Sequence, residues 1–491
     1  MTDTSLPAVF RGFADARERR SAWEPLWRDC YAYALPMRGH GLSQASFAGT
    51  NHAERLFDGT APDAVEQLAA SLLAELTPPW SRWFGLKPGQ DVDPADRDEL
   101  GEILDAAAVR VQGHFDRSNF AVEIHQCFLD LVTTGTATLL FEEAPVGCPS
   151  AFRFSAIPAA EIFIDGDVNG LVERHFRVTT VSVPEVRRRF AGCAEVALIA
   201  TDASAASDPK LELLEAVQAR GRSFQYQAIL PVQGDAIRAP VLLAQGVFEQ
   251  SPFLTFRWMK GTGELYGRSP VMTALPDIKT ANKVVELVLK NASIAATGIW
   301  LAEDDGVLNP ANIRLVPGSI IPKAAGSAGL TPLQAPGRFD VSELVLSDLR
   351  SRIRHTLMAD RLAQVNDRRM TATEVLERSA EMTRLLGAIY GRLQAELLTP
   401  LMQRALAILR RRGEVPPVAL DGTIVDINYR SPLARVQARE EIRNTLLWLE
   451  TVGKLGGDAA QLVDLGATAT WLAETLGVPR ELFARSAEND L

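Results

Sequence analysis

The chain has 491 residues, 47% hydrophobic and 23% charged, an ordinary globular balance with room for two to four domains and a large core. A formal net charge of −10 and a pI near 5.3 argue against a protein that grips nucleic acid through a broadly basic surface, though not against one that guides DNA without holding it. No run of 18 apolar residues offers a membrane span, the start MTDTSLPAVF lacks a secretion-signal pattern, and Cys30, Cys127, Cys148 and Cys193 form no CxxC, so buried reduced thiols are expected.

In chain order, residues 1–40 read as one or two helices. Arg11, Arg17, Arg19 and Arg20 form a basic cluster, on a solvated face or against DNA. Ser21 and Glu24 have capping-box spacing, and Trp23, Leu26, Trp27 and Tyr31 supply an apolar face that Pro36 ends. Asp58, Gly59, Thr60, Ala61 and Pro62 begin a helix that Pro78 and Pro79 stop, and TPPWSRWFGL then reads as a compact aromatic turn. Helices are expected near 97–115 and 120–133, the second capped by Ser118. From Thr136 the period shifts toward two. TATLLFEE, AFRFSAI, EIFIDGD, GLVERHFRVT, FQYQAILPV, PVLLAQGVF and FLTFRWM are strand candidates, with a short helix at 182–190 and a loop at 201–209.

Residues 263–296, GELYGRSPVMTALPDIKTANKVVELVLKNASIAA, organise the rest. Ile278, Ala281, Val285, Val288 and Ala292 share one helix face, while Lys279, Lys283, Glu286 and Lys290 share another. Pro276 suits a first turn, giving a helix about 30 Å long at ~1.5 Å per residue. Residues 298–340, rich in Gly and Pro with short β-branched runs, read as a small β-containing insertion. Residues 341–357 are helical again, with Leu349 and Ile353 inward. The stretch 358–370, MADRLAQVNDRRM, lacks an apolar period and is expected to be exposed. Thr371 and Glu374 begin a long helix that Pro400 must kink or restart, with Thr399 able to cap, and Gly413 with Pro416 and Pro417 stops it. The tail carries a strand-like TIVDINY and then leucine-rich helices.

Catalytic patterns are missing from the sequence: no GxxxxGK[ST], no HExxH and no GxSxG. Three acidic groups, Asp91/Asp93/Asp96, Asp165/Asp167 and Glu303/Asp304/Asp305, have the composition of metal-nuclease sites, but each lies in or beside a Gly- or Pro-containing turn, where Asp serves the backbone. No cofactor is expected.

GELYGRSPVMTALPDIKTAN resembles the head-to-tail connector, or portal, proteins of short-tailed bacteriophages. WEPLWRDCYAYALP, FDGTAPDAVEQLAASLLAELTPPWSRWFGL, GTATLLFEE, PFLTFRW and MTATEVLERSAEM resemble the same family in the same order. The resemblance implies an α+β portal fold: a wing at 1–268, a first stem helix at 269–297, a clip at 298–340, a second stem helix at 341–357, a channel loop at 358–370, a long wing helix at 371–417 and a crown at 418–491. It implies a ring, usually of twelve copies, at one capsid vertex of the virion, made in the host bacterial cytoplasm. Double-stranded DNA would pass through it during packaging and ejection. Its implied partners are major capsid and scaffolding proteins, the terminase large subunit, tail adaptor and tail proteins, with no membrane insertion. Lys279, Lys283 and Lys290 on the first stem helix and Arg361, Arg368 and Arg369 in the loop are the candidates for meeting DNA. Ile278, Val285, Val288, Leu349 and Ile353 are the candidates for stem or subunit packing. A tail adaptor of another kind, or a metal-dependent nuclease or hydrolase, is the alternative.

Overall fold

The computed structural model describes residues 5–38, 55–79, 81–89, 91–93, 96–193, 210–233, 237–297, 300–302, 330–332, 339–359, 387, 389–416, 425–429, 432–455 and 463–476. It is mixed helix and sheet, helical first and then strand-rich. Helices α1 (Leu6–Ser21), α2 (Glu24–Ala34) and α3 (Thr60–Leu76) precede strand β1 (Phe84–Pro88), then α4 (Arg97–Asp116) and α5 (Phe120–Thr134). Strands β2 (Thr136–Glu143), β3 (Phe152–Ile157), β4 (Ile162–Gly166) and β5 (Val172–Ser182) lead through helix α6 (Val183–Arg189) into β6 (Lys210–Arg220), β7 (Ser223–Leu230), β8 (Val241–Phe248) and β9 (Phe253–Arg257). Helix α7 (Pro270–Thr297) follows, then the short strands β10 (Trp300–Ala302) and β11 (Leu330–Pro332), which pair antiparallel, and helix α8 (Phe339–Thr356). A π-helical turn, Gln394–Leu398, runs into the helix Thr399–Arg411. Strand β12 (Val425–Tyr429) and the helices Pro432–Leu455 and Leu465–Leu476 end the described chain.

Two antiparallel sheets carry the middle of the molecule, in the orders β3-β2-β9 and β4-β5-β6-β7-β8. Alternation along the five strands gives the larger sheet two apolar faces. One face takes α1, with Val9 and Ala16 against Phe163, Phe176, Leu214, Ala216 and Ile229. The other takes α6, with Val183 and Val186 against Leu211, Leu213, Ala228 and Leu230. The main core lies between the smaller sheet and helices α2, α3 and α5, and it reaches α7 and α8 through Ile278, Ala281, Leu349 and Ile353. Among the described residues no helix is long and apolar enough to cross a membrane.

Several local expectations are corrected. The Ser21–Glu24 capping box does not form: the Ser21 hydroxyl donates back to the Glu18 carbonyl at 2.6 Å, closing α1, and Glu24 accepts from Arg20 at 3.0 Å. Arg20 belongs to the fold rather than to a solvated face, since its guanidinium donates to the Ala160 and Ile162 carbonyls. Phe84–Pro88 is a strand, not a turn, because β12 supplies a partner about 340 residues later, pairing Phe84 with Tyr429. Thr399 does not cap a restarted helix. Its hydroxyl bonds Tyr429 Oη at 2.9 Å, and the π-helical turn absorbs the amide that Pro400 lacks. Of the four thiols, Cys30 and Cys127 are buried, Cys193 is half-buried and Cys148 is exposed.

Candidate channel helix and its anchor

Helix α7 begins six residues earlier than Pro276. Pro270 takes the first position, where a missing amide is harmless, and Pro276 sits inside the helix. Ser269 makes this start possible. Its Oγ accepts from the Met272 amide at 2.9 Å and donates to the Thr133 carbonyl at 2.8 Å. One hydroxyl therefore caps the start of α7 and the end of α5.

The backbones behind that cap touch directly. Gly135 ends α5 with φ +80°, and a Cβ there would lie 2.6 Å from the Gly267 carbonyl carbon. A Cβ on Gly267 would lie 2.0 Å from the Gly135 oxygen. Glycine is required at both sites, at the first also because of its left-handed conformation. The Gly267 amide donates to Thr136 Oγ1 at 2.8 Å, and the Trp258 amide donates to the Gly135 carbonyl at 3.0 Å. Tyr266 is buried between Trp23 and Trp27, and its hydroxyl accepts from the Ile164 amide at 3.2 Å. Burial pushes the Tyr266 phenol up to about 12.

Arg257 is the polar centre of this anchor. Its side chain is 3% exposed and forms a two-pronged pair with Glu396 of the π-helical turn, Nε to Oε2 at 3.1 Å and Nη2 to Oε1 at 2.7 Å. Nη1 donates to the Gly170 and Leu265 carbonyls at 2.8 and 2.9 Å. One guanidinium thus ties together β9, the turn after β4, the approach to α7 and the helix from Gln394 onward. A single arginine inside the apolar run PFLTFRW was the available sequence signal.

Farther along α7, Asn282 is buried. Its Oδ1 accepts from the Phe57 and Asp58 amides at 2.6 and 3.2 Å, and its Nδ2 donates to the Arg55 carbonyl at 3.0 Å. Asp58 in turn accepts from the Thr60 amide at 2.9 Å and from Arg350 of α8 at 2.8 Å. Residues 55–58, the strap ahead of α3, are thereby bonded to both long helices. A direct α7–α8 bond joins Asp277 to Arg352 at 2.9 Å.

The apolar candidates divide by depth. Ile278, Leu349 and Ile353 are buried, Val285 packs half-buried against the core and Val288 is half-buried. Beyond them Leu287 is 49% and Leu289 53% exposed on α7, and Leu344 is 75% exposed on α8.

The three lysines do not stand free. Lys279 pairs with Asp29 of α2 at 2.6 Å and lies over the Tyr33 ring. Lys283 and Lys290 both reach Glu286, at 2.9 and 2.5 Å. Arg361, Arg368 and Arg369 lie outside the described residues. Ahead of them Met358 lies in the left-handed region at φ 58°, with its amide bonded to the His355 carbonyl. Met358 is half-buried and Ala359 is buried, because this turn folds the end of α8 back onto the core; the rest of the stretch expected to be exposed, 360–370, lies outside the described residues.

Of the acidic groups weighed for metal chemistry, Asp165 is buried and paired with Arg19 and Arg174. Asp167 caps its own turn through the Leu171 amide at 2.7 Å. No group of three His, Cys, Asp or Glu side chains suited to a metal occurs among the described residues, and Glu303, Asp304 and Asp305 fall outside them.

The portal protein of Salmonella phage epsilon15 is 23% identical over 98% of this chain and 90% of its own length, and a probable portal protein of Bordetella phage BPP-1 is 25% identical over 98% and 89%. The portal protein of Escherichia phage T7 is 20% identical over 81% and 73%. Among solved structures, a chain from the neck of an empty gene transfer agent particle aligns over 91% of this chain and 99% of its own at 12% identity, with a TM-score of 0.39. The bacteriophage head to tail connecting protein family matches residues 8–483, and the chain belongs to that family.

Proposed function

We propose that this portal protein works as one subunit of a closed ring of about twelve copies at a single capsid vertex, with α7 and α8 forming the stem around a channel for double-stranded DNA. The clip is 298–340, the channel loop 358–370 and the crown 418–491. The ring sits among capsid and scaffolding proteins, receives DNA from the terminase large subunit and later seats tail proteins. Its part is structural rather than enzymatic. The acidic composition suits passage: a channel that neutralised many phosphates would hold the duplex by counterion release, whereas a mostly negative wall with sparse cations repels and centres it.

One observation carries the assembly. At 100° per residue, Val284, Val285, Leu287, Val288 and Leu289 cover about 200° of the circumference of α7. Helix α8 covers only part of that arc, and Leu287, Leu289 and Leu344 are left in solvent in the single chain. A helix apolar over so wide an arc requires a second neighbour, and an adjacent copy presenting the same two helices supplies it.

The test places charge on residues the single chain does not bury. Leu289→Glu with Leu344→Glu keeps good helix formers and leaves the core intact, so each chain should fold with an unchanged circular-dichroism spectrum. Electron microscopy should then show monomers in place of rings. Normal rings from the double variant would mean that this arc is not the subunit interface.

A further inference from the structure

Glu286 lies between the two exposed lysines of α7. Lys283 stands three residues before it and Lys290 four residues after it, spacings that put all three on one strip of the helix. The two ammonium groups converge on the two oxygens of this one carboxylate, Lys283 on Oε2 and Lys290 on Oε1. The lysine side chains are 60% and 63% exposed, the Glu286 side chain only 18%, so the acid lies under the cations. Hydrogen bonds from Lys290 and then Lys283 hold the Glu286 carboxyl below its ordinary pKa, and it remains ionised at neutral pH.

We propose that Glu286 sets how strongly the channel holds DNA, by binding Lys283 and Lys290 and limiting the positive charge they can offer to phosphates. This rests on the reading of α7 as a channel wall. Two lysines sharing one carboxylate carry a single net positive charge per subunit. They also have donors already engaged, so each phosphate contact must displace an ion pair before it forms. The strip can meet a passing phosphate and release it. Without the carboxylate, the same lysines repeated around a ring would form a belt of full charges and slow the duplex.

Four forms of the full-length ring separate this inference from the reading beneath it: wild type, Glu286→Gln, Lys283→Gln with Lys290→Gln, and the triple variant. Ring integrity is checked by electron microscopy. The affinity for a fluorescent linear double-stranded DNA fragment is then measured across a salt series. Glu286→Gln should bind roughly tenfold more tightly at low salt, with a steeper loss of affinity as salt rises, since each added phosphate contact adds about 0.9 to the slope. The triple variant should lose that gain, because the gain acts through the lysines. If the lysine pair weakens binding while Glu286→Gln changes neither affinity nor slope, the masking role is wrong and the channel-wall reading stands. If neither the lysine pair nor Glu286→Gln alters binding, the strip does not meet DNA and both fall. A gain that persists in the triple variant would show that Glu286 acts as a bare negative charge, which also overturns the proposal.

Discussion

Helix α7 is one continuous element in two environments. Its root, Pro270 through Asn282 with the approach from Arg257 that leads into it, is held by the Gly135–Gly267 contact, the shared Ser269 cap, the Arg257–Glu396 pair and the Asn282 bonds to residues 55–58, with Val271, Ala274, Ile278 and Ala281 almost fully buried. Its shaft, from Lys283 outward, has salt bridges within its own surface and leucines half in solvent. The root is complete in one chain. The shaft carries apolar surface that one chain does not cover. In the proposed ring, the difference separates residues that stabilise the subunit from residues whose energy would be realised only between copies. Substitutions at the root should therefore act on folding, and substitutions on the shaft on assembly.

The largest effect is expected at Arg257. Arg257→Ala strips Glu396 of its two-pronged partner, leaving it Arg392 at 3.2 Å and the backbone amide of residue 257, and leaves two carbonyls without donors; breaking a buried pair from one side costs about 3–5 kcal/mol. Urea denaturation should show a midpoint well below wild type. Arg257→Met with Glu396→Leu removes both charges and should recover part of the loss, though not all, since the Gly170 and Leu265 carbonyls still lose a donor. A wild-type midpoint for Arg257→Ala would dissolve the contrast between root and shaft.

Gly267→Ala comes next. Its methyl would meet the Gly135 carbonyl oxygen 2.0 Å away, and backbone on both sides leaves no flexible side chain to yield. A loss of roughly 2–3 kcal/mol follows. Lys283→Ala, sixteen residues along the same chain, should stay within about 0.5 kcal/mol. Equal losses at the two positions in parallel denaturation curves would contradict the division drawn here.

The sequence made the root partly visible. GELYGRSP placed a turn ahead of a long helix, and alternation located seven of the strands, from β2 and β3 to β9, because half-buried strands write their two faces into the chain. Strand β6 was not legible. LELLEAVQAR is built of helix formers, and it is a strand because β5 and β7 flank it in the sheet. Pro276 looked like a helix start since a proline inside a helix is costly, and only the Ser269 cap reveals the true one. The partner of Lys279, Asp29, is 250 residues distant, and no periodicity encodes such a pair. Glu286 was visible beside its lysines from spacing alone, whereas its position beneath them was not. The missed features share a cause: each depends on a group brought near by the fold rather than by the chain.

A smaller effect than at Arg257 or Gly267 is expected where root and shaft meet. Asp58 joins the strap held by Asn282 to Arg350 of α8. Burial alone would raise its pKa, but hydrogen bonds from Thr60 and the Arg350 guanidinium outweigh that and hold it below the ordinary aspartate value. Because the folded chain binds this proton less readily than the unfolded chain, the interaction stabilises the fold fully above the unfolded pKa, about 3.9, and the contribution is lost as pH falls through the lower folded value. Arg350 is 42% exposed, so solvent screening limits the pair to about 1 kcal/mol. Asp58→Asn keeps an acceptor for the Thr60 amide and removes only the charge. At pH 7 the variant should be less stable than wild type by about that amount. The two denaturation midpoints should converge below pH 4, where wild-type Asp58 itself takes up a proton. A gap that stays constant from pH 7 to pH 3 would show that Asp58 acts through its shape ahead of α3, and that its charge does not help join α7 to α8.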